Sequence, residues 1–163
     1  MRIRRAETSD CPALTRIVRT SEAYNGEYRV MVAGITITPE QVARDDIFVA
    51  EQDGQVIGFY SLMTGPGEAE LDFMFVDDKL RGTGIGQALW SHMLAQAQGR
   101  GFEAIKIVSH PPAEAFYRRM GARAVGVVVP SGRITWSRSL MRINLDPVLN
   151  HGEASQRPPN PTV

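Results

Sequence analysis

The stretch Leu80-Arg81-Gly82-Thr83-Gly84-Ile85-Gly86-Gln87-Ala88-Leu89, LRGTGIGQAL, joins two segments of different period. Before it, Ala69 to Val76 reads as a strand that begins after the Gly65-Pro66-Gly67 turn signal. After it, Ile85, Leu89 and Met93 recur at helical spacing with Trp90, Leu94 and Ala97 beside them, which predicts a helix from about Gly84 to Gln98. Gly99 and Gly101 end that helix. A glycine-rich loop between strand and helix has a specific chemical use. Residues without a Cβ let backbone amides approach a ligand closely. Amides at a helix start also carry outward partial positive charge, which suits phosphate oxygens, and Arg81 can add charge-assisted bonds to the same group. A P-loop would need Gly-Lys-Ser/Thr where the chain has Gln87-Ala88. The dinucleotide fingerprint fails in either frame, its last glycine position being Gln87 or Leu89.

Upstream, Ile47–Ala50 and Val56–Met63 read as strands around the hairpin signal Asp53-Gly54, so the middle of the chain is an antiparallel meander. Arg2–Arg5 is a short first strand. Thr8-Ser9-Asp10 and Pro12 open a helix carrying Leu14, Ile17 and Val18. Thr38-Pro39-Glu40-Gln41 starts a short helix with a capping box, and Tyr24 to Thr38 reads only as a loop or broken helix. Downstream, Ala104–Val108 is a strand and Pro112–Met120 a helix closed by Gly121, with two last strands at Ala124–Val129 and Ser139–Leu145. The class is α+β: one domain over residues 1–145 with a mixed, mostly antiparallel sheet flanked by helices. Residues 146–163 lack apolar periodicity and are expected to be a disordered tail.

The 163 residues suffice for one core without disulfides or metals. Lys plus Arg and Asp plus Glu both number 18, which argues against a nucleic-acid partner bound by broad phosphate neutralisation. Cys11 is the single cysteine and reads as structural, as in a reducing compartment. The N-terminus has neither a signal peptide nor a membrane anchor, so the expected location is the cytoplasm. His92, His110 and His151 have no metal-ligand spacing.

Two motifs together resemble the GCN5-related N-acetyltransferase (GNAT) superfamily. Arg81-x-x-Gly84-x-Gly86 matches its R/Q-x-x-G-x-G/A signature, and the approach strand LDFMFVDDKL supplies its valine as Val76, with Asp78 where many members have proline. HPPAEAFYRRMGA, His110 to Ala122, is similar to the family's N-x-x-A-x-x-F-Y-x-x-x-G-F, with His110 for the asparagine and Ala122 for the phenylalanine. The resemblance spans about Arg2 to Leu145. It implies acetyl-CoA as co-substrate and a sheet splayed beside Met74–Val76, where the pantetheine arm pairs with exposed backbone. It implies a pyrophosphate on the amides of Gly82, Thr83, Gly84, Ile85, Gly86 and Gln87 beside Arg81. Phe75, His110, Ala113, Phe116 and Tyr117 complete the cofactor side that it implies.

The inferred reaction is direct attack of an amine on the thioester, which needs a base, an acid for the thiolate and an oxyanion donor. Tyr117 is the candidate acid, since a phenol stays protonated at neutral pH. Phe116, its neighbour, suits the core, and Tyr117 the edge of the cleft. Glu68, Glu70 and Asp72 alternate, so period two places them on one face opposite Leu71, Phe73 and Phe75. Glu70, slightly ahead of Asp72, is the candidate base. His110 reads first as a hydrogen-bonding loop residue and second as a base. Tyr24, Tyr28, Arg133 and Trp136 are candidates for the acceptor side. The expected partner is a small-molecule or peptide amine, with a homodimer through the C-terminal strands as a further expectation. The competing readings are a protein N-acetyltransferase and a non-catalytic acyl-CoA-binding module.

Overall fold

The computed structural model describes residues 1–146, so all of the expected tail except Asp146 lies outside the described residues. Seven strands form one sheet: β1 Arg2–Arg5, β2 Asp46–Gln52, β3 Gln55–Met63, β4 Ala69–Val76, β5 Ala104–Ser109, β6 Arg123–Val128 and β7 Arg138–Asn144, in the order β1-β2-β3-β4-β5-β7-β6. All neighbours are antiparallel except β4 and β5. The helices are α1 Cys11–Arg19, α2 Arg29–Ala33, α3 Pro39–Arg44, α4 Ile85–Gly99 and α5 Pro111–Arg119. Thr38 caps α3 through the expected box with Gln41. The ambiguous stretch after Tyr24 follows a 3-10 turn at Glu22–Tyr24 and contains a second at Gly26–Tyr28, then α2, each too short to show a period.

Each face of the sheet carries its own core. On one, Leu89, Trp90, Met93 and Ala97 of α4 pack with Tyr60, Leu71, Ile105, Ile107 and Tyr117. On the other, Leu14, Ile17 and Val18 of α1 pack with Val32, Val42, Ile47, Val49 and Phe59. Asp46 joins the layers at the edge, taking ion pairs from Arg5 and from Arg100 just past α4.

Two irregularities in β4 position the site. First, Ser61 faces Phe73 while Leu62 faces Leu71, so Asp72 is an extra residue, a β-bulge. The expected single face of Leu71, Phe73 and Phe75 is thereby corrected. Leu71 belongs to the α4 core, whereas Phe73 and Phe75 pack beside Phe59 on the α1 side. Period-two reading fails because one inserted residue transposes every later side chain. Second, β4 and β5 pair only through Ala69–Leu71 and Ile105–Ile107, then diverge. Asp77 donates its amide to Ile57 of β3, and by alternation the amides and carbonyls of Met74 and Val76 face away from β3, into the gap. No membrane-length apolar helix occurs among the described residues.

Candidate active site

Two cavities flank this gap. The first, about 570 Å³, is roofed by α5 and floored by β4 and the glycine loop. Met74, Phe75 and Val76 line it from the strand, and Arg81, Gly82, Gly84, Ile85, Gly86 and Gln87 from the loop and the start of α4. Ala113, Phe116 and Tyr117 line it from α5. Sequence reading thus brought together twelve of its residues. Thr83 turns away from the cavity, its hydroxyl donating to the Leu80 carbonyl. His110 lies outside the first cavity and lines the second.

The loop is shaped for an anion. Gly84, the N-cap of α4, has φ +88°, a left-handed conformation that a side chain would strain, and a Cβ there would meet open space. The conformation presents the first free amides of α4. Gly86 has a different reason: a Cβ would press on the Phe116 ring at 3.3 Å. Arg81 sits 2.7 Å from Asp78, whose other carboxylate oxygen accepts the Glu22 amide, so the N-terminal turn is tied to the loop. Arg119 is a second cation on the wall, unrecognised in the sequence because nothing in the α5 motif marks it. Cavity, open cradle, cations and unpaired strand backbone all fit the elongated polyphosphate and amide chain of coenzyme A.

Tyr117 is the buried residue of α5, 7% exposed, against Trp90 and Phe116. Phe116 is only partly buried. The expected division is therefore corrected: the tyrosine occupies the deeper position because its side of α5 faces the sheet, while Phe116 covers the loop. Burial, and to a lesser extent Tyr24, pushes the Tyr117 phenol well above its ordinary value, so it stays protonated across neutral pH. Tyr24 lines the same cavity and is raised to about 12 by burial.

The second cavity, about 430 Å³, is lined by Glu70, Leu71, Asp72, Lys106, Val108, His110, Val128, Arg138 and Leu140. It gathers both candidate bases, but in different states. Glu70 has Lys106 at 3.9 Å, and Glu68 is bound to Arg142 at 2.6 Å, so the acidic row is partly neutralised from β5 and β7. Asp72 keeps open surface, yet protein crowding its carboxyl withdraws water. Desolvation first, then the charges of Asp45 and Glu70, raise it to about 6 against the weaker opposing pull of Arg44. Arg44 is itself engaged by Asp45 at 2.9 Å. His110 accepts a hydrogen bond at Nδ1 from Trp136 Nε1 at 3.1 Å, and burial, with Arg138 nearby, lowers its pKa. It is a neutral, fixed ring. Trp136 in turn packs edge-on against Tyr28, centroids 4.8 Å apart. Arg133 is exposed and lines neither cavity. Lys106 and Arg138 were missed as site residues, since only strand pairing brings them here.

The Acetyltransferase (GNAT) family matches residues 16–122, and the chain belongs to that family. Among solved structures, the ribosomal-protein-S18-alanine N-acetyltransferase of Escherichia coli superposes with TM-score 0.68 at 20% identity, over 92% of this chain and 97% of that one. An aminoglycoside 6'-N-acetyltransferase complexed with coenzyme A superposes with TM-score 0.70 at 16% identity, over 90% and 98%. The PaiA N-acetyltransferase of Thermoplasma acidophilum, also in complex with coenzyme A, gives 0.66 at 18%, over 88% and 98%. These likenesses establish the fold. No curated protein sequence matches the chain.

Proposed function

We propose that the protein transfers an acetyl group from acetyl-CoA to an amine by direct attack in a ternary complex. The observation that carries this reading is the pairing of a deeply set phenol on the first cavity with a carboxylate of raised pKa on the second, along one strand. Asp72 precedes Met74 by two residues, ~6.6 Å along a strand, so base and cofactor backbone are near neighbours. The Gly82–Gln87 amides, with Arg81 and Arg119, would hold the pyrophosphate, and Met74 and Val76 the pantetheine amides. Bound there, acetyl-CoA supplies an acyl carbon already activated as a thioester. Asp72 takes one proton from the acceptor's ammonium, directly or through a water, and passes it to solvent. The nitrogen–carbon bond forms, the carbon–sulfur bond breaks, and Tyr117 gives its proton to the thiolate. The second proton released by the nitrogen restores the phenol, so one proton is released overall. At a pKa of about 6, Asp72 is ionised at neutral pH while remaining more basic than an ordinary aspartate.

Titration calorimetry with acetyl-CoA, followed by a free-thiol assay over an amine panel, tests the reading. Binding with acceptor-dependent thiol release is expected. Binding with no acceptor turned over would instead favour an acyl-CoA-binding module, and absence of binding would remove the cofactor assignment.

A further inference from the structure

The charges in the second cavity balance in number but are not all paired. Glu70 and Lys106 face each other at 3.9 Å, which leaves Asp72 and Arg138. Among the described residues Arg138 has no carboxylate partner: its Nε is buried without a hydrogen bond, and its Nη2 reaches only the Val129 carbonyl at 3.5 Å. An orphaned buried donor is uncommon, and a guanidinium is the side chain best suited to grip a carboxylate with two parallel bonds. The register sets the spacing. Leu71, just before Asp72, pairs with Ile107 of β5, and β5 pairs with β7, which Arg138 begins. By that register Arg138 lies two residues past the position level with Asp72, so the two stand two strands apart and offset along them, ~12 Å or more at the backbone, with side chains bordering the same cavity. Between them His110, its Nδ1 occupied by Trp136, keeps its proton on Nε2 as a neutral donor. Val108, Val128 and Leu140 give the same space an apolar wall.

We propose that the acceptor is a small amine that also bears a carboxylate, a free amino acid in chemical class, with its ammonium at Asp72 and its carboxylate at Arg138. This rests on reading the second cavity as the acceptor site. A protein lysine side chain or a polyamine offers no carboxylate beside its amine and would leave Arg138 orphaned.

The test reads binding apart from turnover. The full chain, saturated with coenzyme A, is titrated calorimetrically with glycine, alanine, leucine, lysine and glutamate and with their carboxamides. At least one free amino acid is expected to bind at least ~10-fold tighter than its carboxamide. Arg138→Met should erase that difference without changing coenzyme A affinity, and Arg138→Lys should restore part of it. Equal or tighter binding of the carboxamides overturns the proposal, as does absence of binding by every free acid. Equal weakening of acid and amide in a folded Arg138→Met protein overturns it too. The wild-type comparison stands even if that variant does not fold. A retained carboxylate preference without thiol release would overturn acetyl transfer while upholding the recognition.

Discussion

At Asp72 the chain holds one residue more than β3 can pair, and that residue sets a partly desolvated carboxylate within the field of Asp45 and Glu70. If it is the base, activity should fall as pH drops through about 6, and Asp72→Asn should lower kcat by ~10²–10⁴ and flatten that limb. Initial rates between pH 5 and 9 check this, and an unchanged limb in the variant would exclude the role. The same shift affects stability. The folded value lies above the ordinary 3.8, so the folded state binds this proton more tightly than the unfolded chain does. Folding is penalised wherever the group is ionised in both states, fully above about pH 6, and the penalty fades as pH falls toward the ordinary value. Asp72→Asn should therefore melt above wild type at pH 8, with the gap closing toward pH 4. Tyr117 permits a sharper separation of roles. Tyr117→Phe removes one oxygen and keeps the ring between Trp90 and Phe116. The dissociation constant for acetyl-CoA should hardly move while kcat falls ~10²–10⁴. A near-wild-type turnover would make the residue a packing group only.

Elements of the fold were legible where their signals are local. The capping box at Thr38, the Asp53-Gly54 hairpin and the helical run after Gly84 each sit within a few residues, and each formed as expected. The bulge in β4 escaped because nothing in the strand itself shows that its neighbour lacks a residue. Gly58 of β3 reveals how tightly these strands are fitted. A Cβ there would lie 2.9 Å from the Phe75 carbonyl oxygen and 3.2 Å from Leu89 Cδ1. The first obstacle is backbone of β4 and cannot swing aside. Gly58→Ala should cost ~1–3 kcal/mol, seen as a lower urea midpoint with unchanged slope. A midpoint within error of wild type would mean that β3 and β4 yield more easily than their spacing implies.

Across the whole molecule, the lining of the first cavity was largely legible in the sequence, whereas that of the second was legible only at Glu70, Asp72 and His110, for one reason. The glycine loop is contiguous from Arg81 to Gln87, whereas the second cavity is closed by β7, which enters the sheet between β5 and β6. That insertion carries Trp136 and Arg138 to His110, a juxtaposition set by pairing between distant segments and invisible to any local pattern. The divergence of β4 from β5 has a consequence for solvent access to single backbone protons. The amides of Met74 and Val76 face the gap, while that of Phe75 faces β3 by the same alternation. In the free protein, deuterium should therefore enter at Met74 and Val76 quickly and at Phe75 slowly, giving a sawtooth along three consecutive residues. Acetyl-CoA binding should slow exchange at Met74 and Val76 and leave Phe75 nearly unchanged. The strand would then be recorded, proton by proton, as having gained a neighbour that is not protein.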